Sequence, residues 1–201
     1  MECPLNSQNV RVLIDEAITY GDLSRAEDLA RKALLQACLS EHLGDRMYFT
    51  AQLLIIDENF REASRYLDLA IQYNPADGAA YNDRALCMIE LGELDGALEF
   101  FDRGIAVECD FATIHHNKGW FLNQIGRQEE ALKCFRHALF LDPTRAVTYE
   151  NIADCLHKLG KTEEAIKAYK KAVTFLSPWC VEIKEEIEGI IKTLEANKFI
   201  C

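Results

Sequence analysis

The stretch AYNDRALCMIELGELDGALEFFDRGIAVE, residues 80–108, carries apolar residues at helical spacing in two segments broken at Gly92, with small residues at Ala85, Ala97 and Gly104. Core helices commonly place large side chains at such points. Small residues are required where two helices cross at short distance, because a bulky side chain where their ridges meet would force the axes apart. Residues 80–108 therefore read as a tightly packed antiparallel helix pair with Ala85, Ala97 and Gly104 as its contact points, and Tyr81, Leu98 and Phe101 filling the space around them.

The same pattern recurs along the chain. Ala63, Ala97, Ala131 and Ala165 are each 34 residues apart, and Gly92, Gly126 and Gly160 keep that interval. So do Ala70, Gly104, Ala138 and Ala172; Leu67, Phe101, Phe135 and Tyr169; and Met47, Tyr81, His115 and Tyr149. One such pair cannot bury its own apolar face, so the units must stack. Upstream, YGDLSRAEDLARKAL repeats the second half of the unit, with Gly21 at the turn and Ala26 and Ala33 at the small positions; three extra residues fall in CLSEHLGD after a lengthened helix. The repeats run over about 7–43, 44–77, 78–111, 112–145 and 146–179 in one domain. A last helix over about 180–197, with an apolar stripe of Ile183, Ile187, Ile190, Ile191 and Leu194 and the ending KFIC, caps the array.

Local signals agree with helix, turn, helix in each unit. In ATIHHNKGWFLNQIG the helix stops at Gly126, which takes left-handed dihedrals without a Cβ penalty. In QEEALKCFRHALFLD it stops before Pro143, and Glu129, Glu130, Glu163 and Glu164 suit the positive ends of their helices.

Composition narrows the function. The chain has 201 residues, 49% hydrophobic and 27% charged, which is that of a folded soluble protein; no stretch reaches the length of apolar sequence that crosses a membrane. The first residues, MECPLNSQNV, carry no export signal, so a cytoplasmic protein is expected, and its eight cysteines, none in a C-x-x-C pair, read as reduced thiols. A net charge of −11 opposes phosphate backbones, so nucleic acid is an unfavourable partner.

The 34-residue period, the large residue near the start of each unit, Gly or Ala at its eighth position, the turn Gly, then Ala, an aromatic, Ala and Pro resemble the tetratricopeptide repeat. Arg84 and Lys118 depart from that pattern in place of apolar residues, as do Glu58 for the turn Gly, Gly104 for Ala, and Cys109 and Ser177 for Pro. The resemblance implies an all-α right-handed superhelical solenoid whose first helices line a concave groove, and a non-catalytic module that binds a peptide segment of a partner protein there. Carried over to this chain, the groove comprises Tyr48, Gln52, Asn82, Leu86, His116, Trp120, Asn123, Glu150 and Asp154. Rigid aromatics offer contact area at little entropic cost, and an Asn amide can pair with a peptide backbone. Packing between repeats is the competing role for Tyr48 and Trp120.

A carboxylate clamp of the chaperone-tail type is not expected. In the three available registers its positions fall on Arg11, Asp15, Phe49, Ala79 and Asp83; on Tyr48, Gln52, Asp83, Thr113 and Asn117; or on Asn82, Leu86, Asn117, Val147 and Asn151, and none supplies the set of cations. Glu150 and Asp154, one turn apart, instead favour a basic or neutral segment, with a solvated charged face beside Arg145 and Lys158 as the alternative.

There is no phosphate-binding glycine loop, H-E-x-x-H or nucleophile elbow, so no catalysis and no cofactor are expected. His116, Glu150 and His157 could approach one another, and Cys134, His137, His115 and His116 could suggest metal, but burial as packing residues is favoured for such side chains. A monomer or weak homodimer is expected. The alternative to peptide binding is a self-assembling or chaperone-like subunit that uses the C-terminal helix or the convex face.

Overall fold

The structure, a computed structural model, describes residues 7–197. Cys3, Cys201 and the KFIC ending lie outside those residues. The described residues form eleven α-helices and no strand, in two compact units, the first ending at Cys109 and the second beginning at Asp110.

The first unit holds α1 (Ser7–Thr19), α2 (Leu23–Leu39), α3 (Leu43–Ile56), α4 (Phe60–Tyr73), α5 (Gly78–Glu90) and α6 (Ala97–Val107). The second holds α7 (Ala112–Gln124), α8 (Gln128–Leu141), α9 (Ala146–Lys158), α10 (Thr162–Phe175) and α11 (Val181–Asn197). In each unit every helix packs on the next one in sequence, so pairs α1–α2, α3–α4, α5–α6, α7–α8 and α9–α10 are the stacked modules.

The first helix of every pair closes in the same way. The amide of the second residue after the cap donates to a carbonyl five residues back: Asp22 to Ala17, Asn59 to Leu54, Glu93 to Met88, Arg127 to Leu122 and Lys161 to Leu156, each at 2.8 Å. This is the bonding of a Schellman closure, which needs a left-handed residue between the cap and the donating amide. Gly21, Gly92, Gly126 and Gly160 supply it with φ of 76°, 74°, 80° and 75°, whereas Glu58 adopts φ 56° at the same place without being glycine. The turn geometry thus outlasts the loss of its usual residue.

Close contact between paired helices is visible at the small positions. Ala26, Ala63, Ala97, Ala131 and Ala165 are all fully buried, as are Ala70, Ala138 and Ala172, and Gly104 is buried with them. Phe101 and Phe135, 34 residues apart, are also sealed from solvent. Gly119 shows how little room remains: a Cβ there would come within 2.8 Å of the Phe135 ring and 3.2 Å of the Ala131 carbonyl.

Two features modify the repeat. Helix α2 runs to 17 residues, consistent with the insertion expected after it. Helix α6 is shortened to 11 residues because Gly96 takes φ 96° at its N-cap, so the Asp95–Gly96 turn delays the helix to Ala97. At the C-terminal end, α11 lays Ile187, Ile191 and Leu194 against α10, all buried, with Lys170 and Glu195 paired at 2.8 Å beside them. That stripe covers α10, and Ile183 and Ile190 remain half-buried.

Candidate functional site

The nine groove candidates belong to the first helices of the pairs: Tyr48 and Gln52 on α3, Asn82 and Leu86 on α5, His116, Trp120 and Asn123 on α7, and Glu150 and Asp154 on α9. They do not share one environment. Tyr48, Gln52, Asn82, His116 and Asn123 are buried, whereas Leu86, Trp120, Glu150 and Asp154 keep part of their surface in solvent.

In the first unit the buried residues converge on Asp83. Its carboxylate accepts from Gln52 Nε2 at 2.5 Å, from Asn82 Nδ2 at 2.8 Å and from the Tyr48 hydroxyl. Burial pushes this carboxyl up to about 6; the donated hydrogen bonds oppose that rise and the nearby Asp15 adds to it. The Tyr48 phenol is likewise held well above its ordinary range, first by burial and then by the Asp83 charge.

Beside this cluster, Arg11 reaches out from α1. Its guanidinium lies over the Tyr48 ring with the central carbon 4.1 Å from the centroid, pairs with Asp45 at 2.7 Å, and also pairs with Asp77. Asp77 caps α5 by accepting from the Ala80 amide at 3.3 Å, so one arginine ties α1 to α3 and to the start of α5. Burial lowers the affinity of this guanidinium for its proton, yet Tyr48, Asp77 and Asp45 together raise it further above its ordinary value, and the side chain stays charged. Its Nε and the Asp77 Oδ2 are buried without a hydrogen-bond partner among the described residues.

In the second unit His116 is enclosed. Its Nδ1 lies 2.9 Å from Thr148 Oγ1 and its ring packs 5.6 Å from Phe135. Burial, with the Arg145 charge second, lowers its pKa to about 3, so the imidazole is neutral at physiological pH. Arg145 donates to Thr113 Oγ1 at 3.2 Å. Farther along α7, Asn123 Nδ2 donates to Asp154 Oδ2 at 2.7 Å, and Lys158 bridges the pair, at 2.8 Å from Asp154 and 3.3 Å from Asn123 Oδ1. Glu150 has its pKa raised by burial and then by the charges of Glu186 and Asp154, which marks an acidic surface shared by α9 and α11.

Sequence reasoning did not anticipate that Arg11 and Asp83 would be the hubs of the first-unit network. Both were visible in the clamp registers, but their partners lie at other repeat positions, Asp45, Asp77 and Gln52, so alignment of equivalent residues does not join them. Among the described residues no group of three or more His, Cys, Asp or Glu side chains is arranged to hold a metal ion. His115 and His137 instead lie ring against ring at 4.2 Å, and Cys87 and Cys155 are buried. No described helix is long and apolar enough to cross a membrane.

Two family models described as tetratricopeptide repeat match the chain over residues 110–177 and 54–112, together more than half its length. No curated protein sequence matches it. Among solved structures, it resembles a thermophilic TPR protein of Thermus thermophilus with TM-score 0.70 and 16% identity, over 95% of this chain and 100% of that one. It also resembles YrrB, described as a TPR protein with an unusual peptide-binding site, with TM-score 0.58 and 18% identity over 90% and 92% of the two chains. MamA gives TM-score 0.60 and 18% identity over 81% and 93%. At these identities the likeness is one of fold.

Proposed function

The chain belongs to the tetratricopeptide repeat family, a fold that serves as a scaffold for protein interactions, and from that premise we propose that it binds a peptide segment of a partner protein on the exposed part of its first-helix face. One observation carries this reading: the repeat's ninth position stays partly open to solvent at Leu86, Trp120 and Asp154, although its equivalent Gln52 is buried. The fifth position is closed at Tyr48, Asn82 and His116 by the networks described above and partly open at Glu150.

A partner would therefore be read on the second unit by Trp120, Glu150 and Asp154. Trp120 offers a rigid apolar plate with one N–H donor, the kind of anchor that dominates interface energetics. Glu150 and Asp154, with Glu186 near, favour a neutral or basic segment. The buried fifth-position residues then act as the rigid support beneath, which lowers the ordering cost of binding.

Affinity capture with Trp120→Ala and Asp154→Lys tests the reading, with Phe140→Ser, an 80% exposed residue of α8, as the matched surface change. Loss of one defined partner with the first two variants alone supports it. Equal recovery by all three contradicts it.

A further inference from the structure

Asp83 is out of place when the repeats are compared with one another. The equivalent positions in the next two repeats are Asn117 and Asn151, and the preceding one is Phe49. Even a half-buried carboxylate carries a cost for its ionisation where an amide or a ring would not. Yet its surroundings are built for a charge, with the Tyr48 hydroxyl, the Gln52 amide and the Asn82 amide all donating to its two oxygens.

The charged groups around it do little to neutralise it. On α1, Asp15 adds repulsion, and Arg11 is committed to Asp45 of α3 and to Asp77 at the start of α5. On α5, Arg84 is turned to Asp68 of α4 at 2.9 Å, and the Cys87 thiol, pushed up to about 12 first by burial and then by the Asp83 charge, remains neutral. Glu90, farther along α5, acts on Cys87 with the same sign of charge. Among the described residues Asp83 is therefore held by the neutral donors Tyr48 and Gln52 of α3 and Asn82 of α5.

We propose that Asp83 is a proton-linked positioning residue that joins α3 to α5 and resets the hydrogen bonding of Gln52 and Asn82 when it takes up a proton. The ionised carboxylate can accept from all three neighbours at once. Once protonated by solvent, one of its oxygens becomes a donor and needs an acceptor. Tyr48 can serve by rotating its hydroxyl, and Gln52 or Asn82 by turning its amide over to present the carbonyl. The Tyr48 and Gln52 moves each break a bond that ties α3 to α5 and replace it with one of opposite polarity, whereas the Asn82 move is local to α5. Gln52 and Asn82 are buried residues of the first helices whose exposed face is proposed for the partner, so any effect on binding rests on that proposal; the protonation step itself does not.

The test is a carbon-detected NMR titration of the aspartate side-chain carboxyls in the full chain, with the side-chain amide protons of Gln52 and Asn82 followed in parallel. The Asp83 midpoint should fall near 6 and the two amides should shift with the same midpoint. Asp83→Asn should abolish that transition in both amides. Tyr48→Phe should move the Asp83 midpoint upward, because it removes a donor that favours the ionised form. An Asp83 midpoint in the ordinary aspartate range of about 4 overturns the proposal, as do amides that ignore it. Should Asp83→Asn fail to fold, the Tyr48→Phe shift decides, and a midpoint that stays or falls overturns it. No partner enters the titration, so its failure is separate from failure of the capture experiment.

Discussion

Gly119 of α7 and Phe135 of α8 approach so closely that a methyl group on the glycine would lie 2.8 Å from the aromatic ring. The ring cannot easily retreat, because Phe135 is fully buried and the Ala131 carbonyl stands 3.2 Å from the same point. Gly119→Ala should therefore destabilise the protein by about 1–3 kcal/mol, as overpacking does, even though alanine is the better helix former. Gly189 of α11 has nothing within 4 Å of the same construction, so Gly189→Ala should stabilise by about 0.5–1 kcal/mol. Denaturant midpoints of the two variants check the pair of signs.

Arg11 supplies a second prediction. It stands buried between Asp45 and Asp77, and the latter is buried too, so Arg11→Ala leaves a carboxylate without its counter-charge and should cost about 3–5 kcal/mol. Arg11→Lys should recover only part of this, because an ammonium reproduces neither the planar contact with Tyr48 nor two simultaneous carboxylate bonds. Urea unfolding at two salt concentrations measures both, and a loss below about 1 kcal/mol for Arg11→Ala would contradict a buried cross-link.

How much of this was legible in the sequence varies with the kind of interaction. The helix pairs were, because Ala97, Ala131 and Ala165 with Gly92, Gly126 and Gly160 encode contact and turn at one fixed interval, and the closures at Met88, Leu122 and Leu156 follow it. The late start of α6 was not, since apolar spacing is blind to the left-handed turn at Gly96. The repeat register also named the face on which Tyr48, Asn82 and His116 lie, but not their depth. Depth depends on what the neighbouring repeat lays over them: Arg11 over Tyr48, and Thr148 against the His116 ring.

Acidification should act on the two units with opposite signs. Asp83 binds its proton more tightly folded, at about 6, than unfolded, so its contribution grows as pH falls through 6 and is lost as pH rises. Between about pH 7 and pH 5 that adds about 1 kcal/mol. His116 is the reverse case. Its folded pKa, about 3, lies below the unfolded value, so the stability it contributes at neutral pH is lost as pH falls through the unfolded range, about 2 kcal/mol over the same interval. Comparing wild type with Asp83→Asn and with His116→Asn by denaturation at both pH values isolates each term. Asp83→Asn should steepen the loss on acidification and His116→Asn should flatten it.

Peptide binding on the first-helix face requires that a partner meet Trp120. A photoreactive amino acid placed at Trp120, and separately at Phe140 on the exposed side of α8, tests this in the intact chain. One discrete crosslinked protein is expected from position 120, mapped to a single short segment of that partner and absent from position 140. Crosslinks of equal yield from both positions, or from 140 alone, would contradict binding on that face.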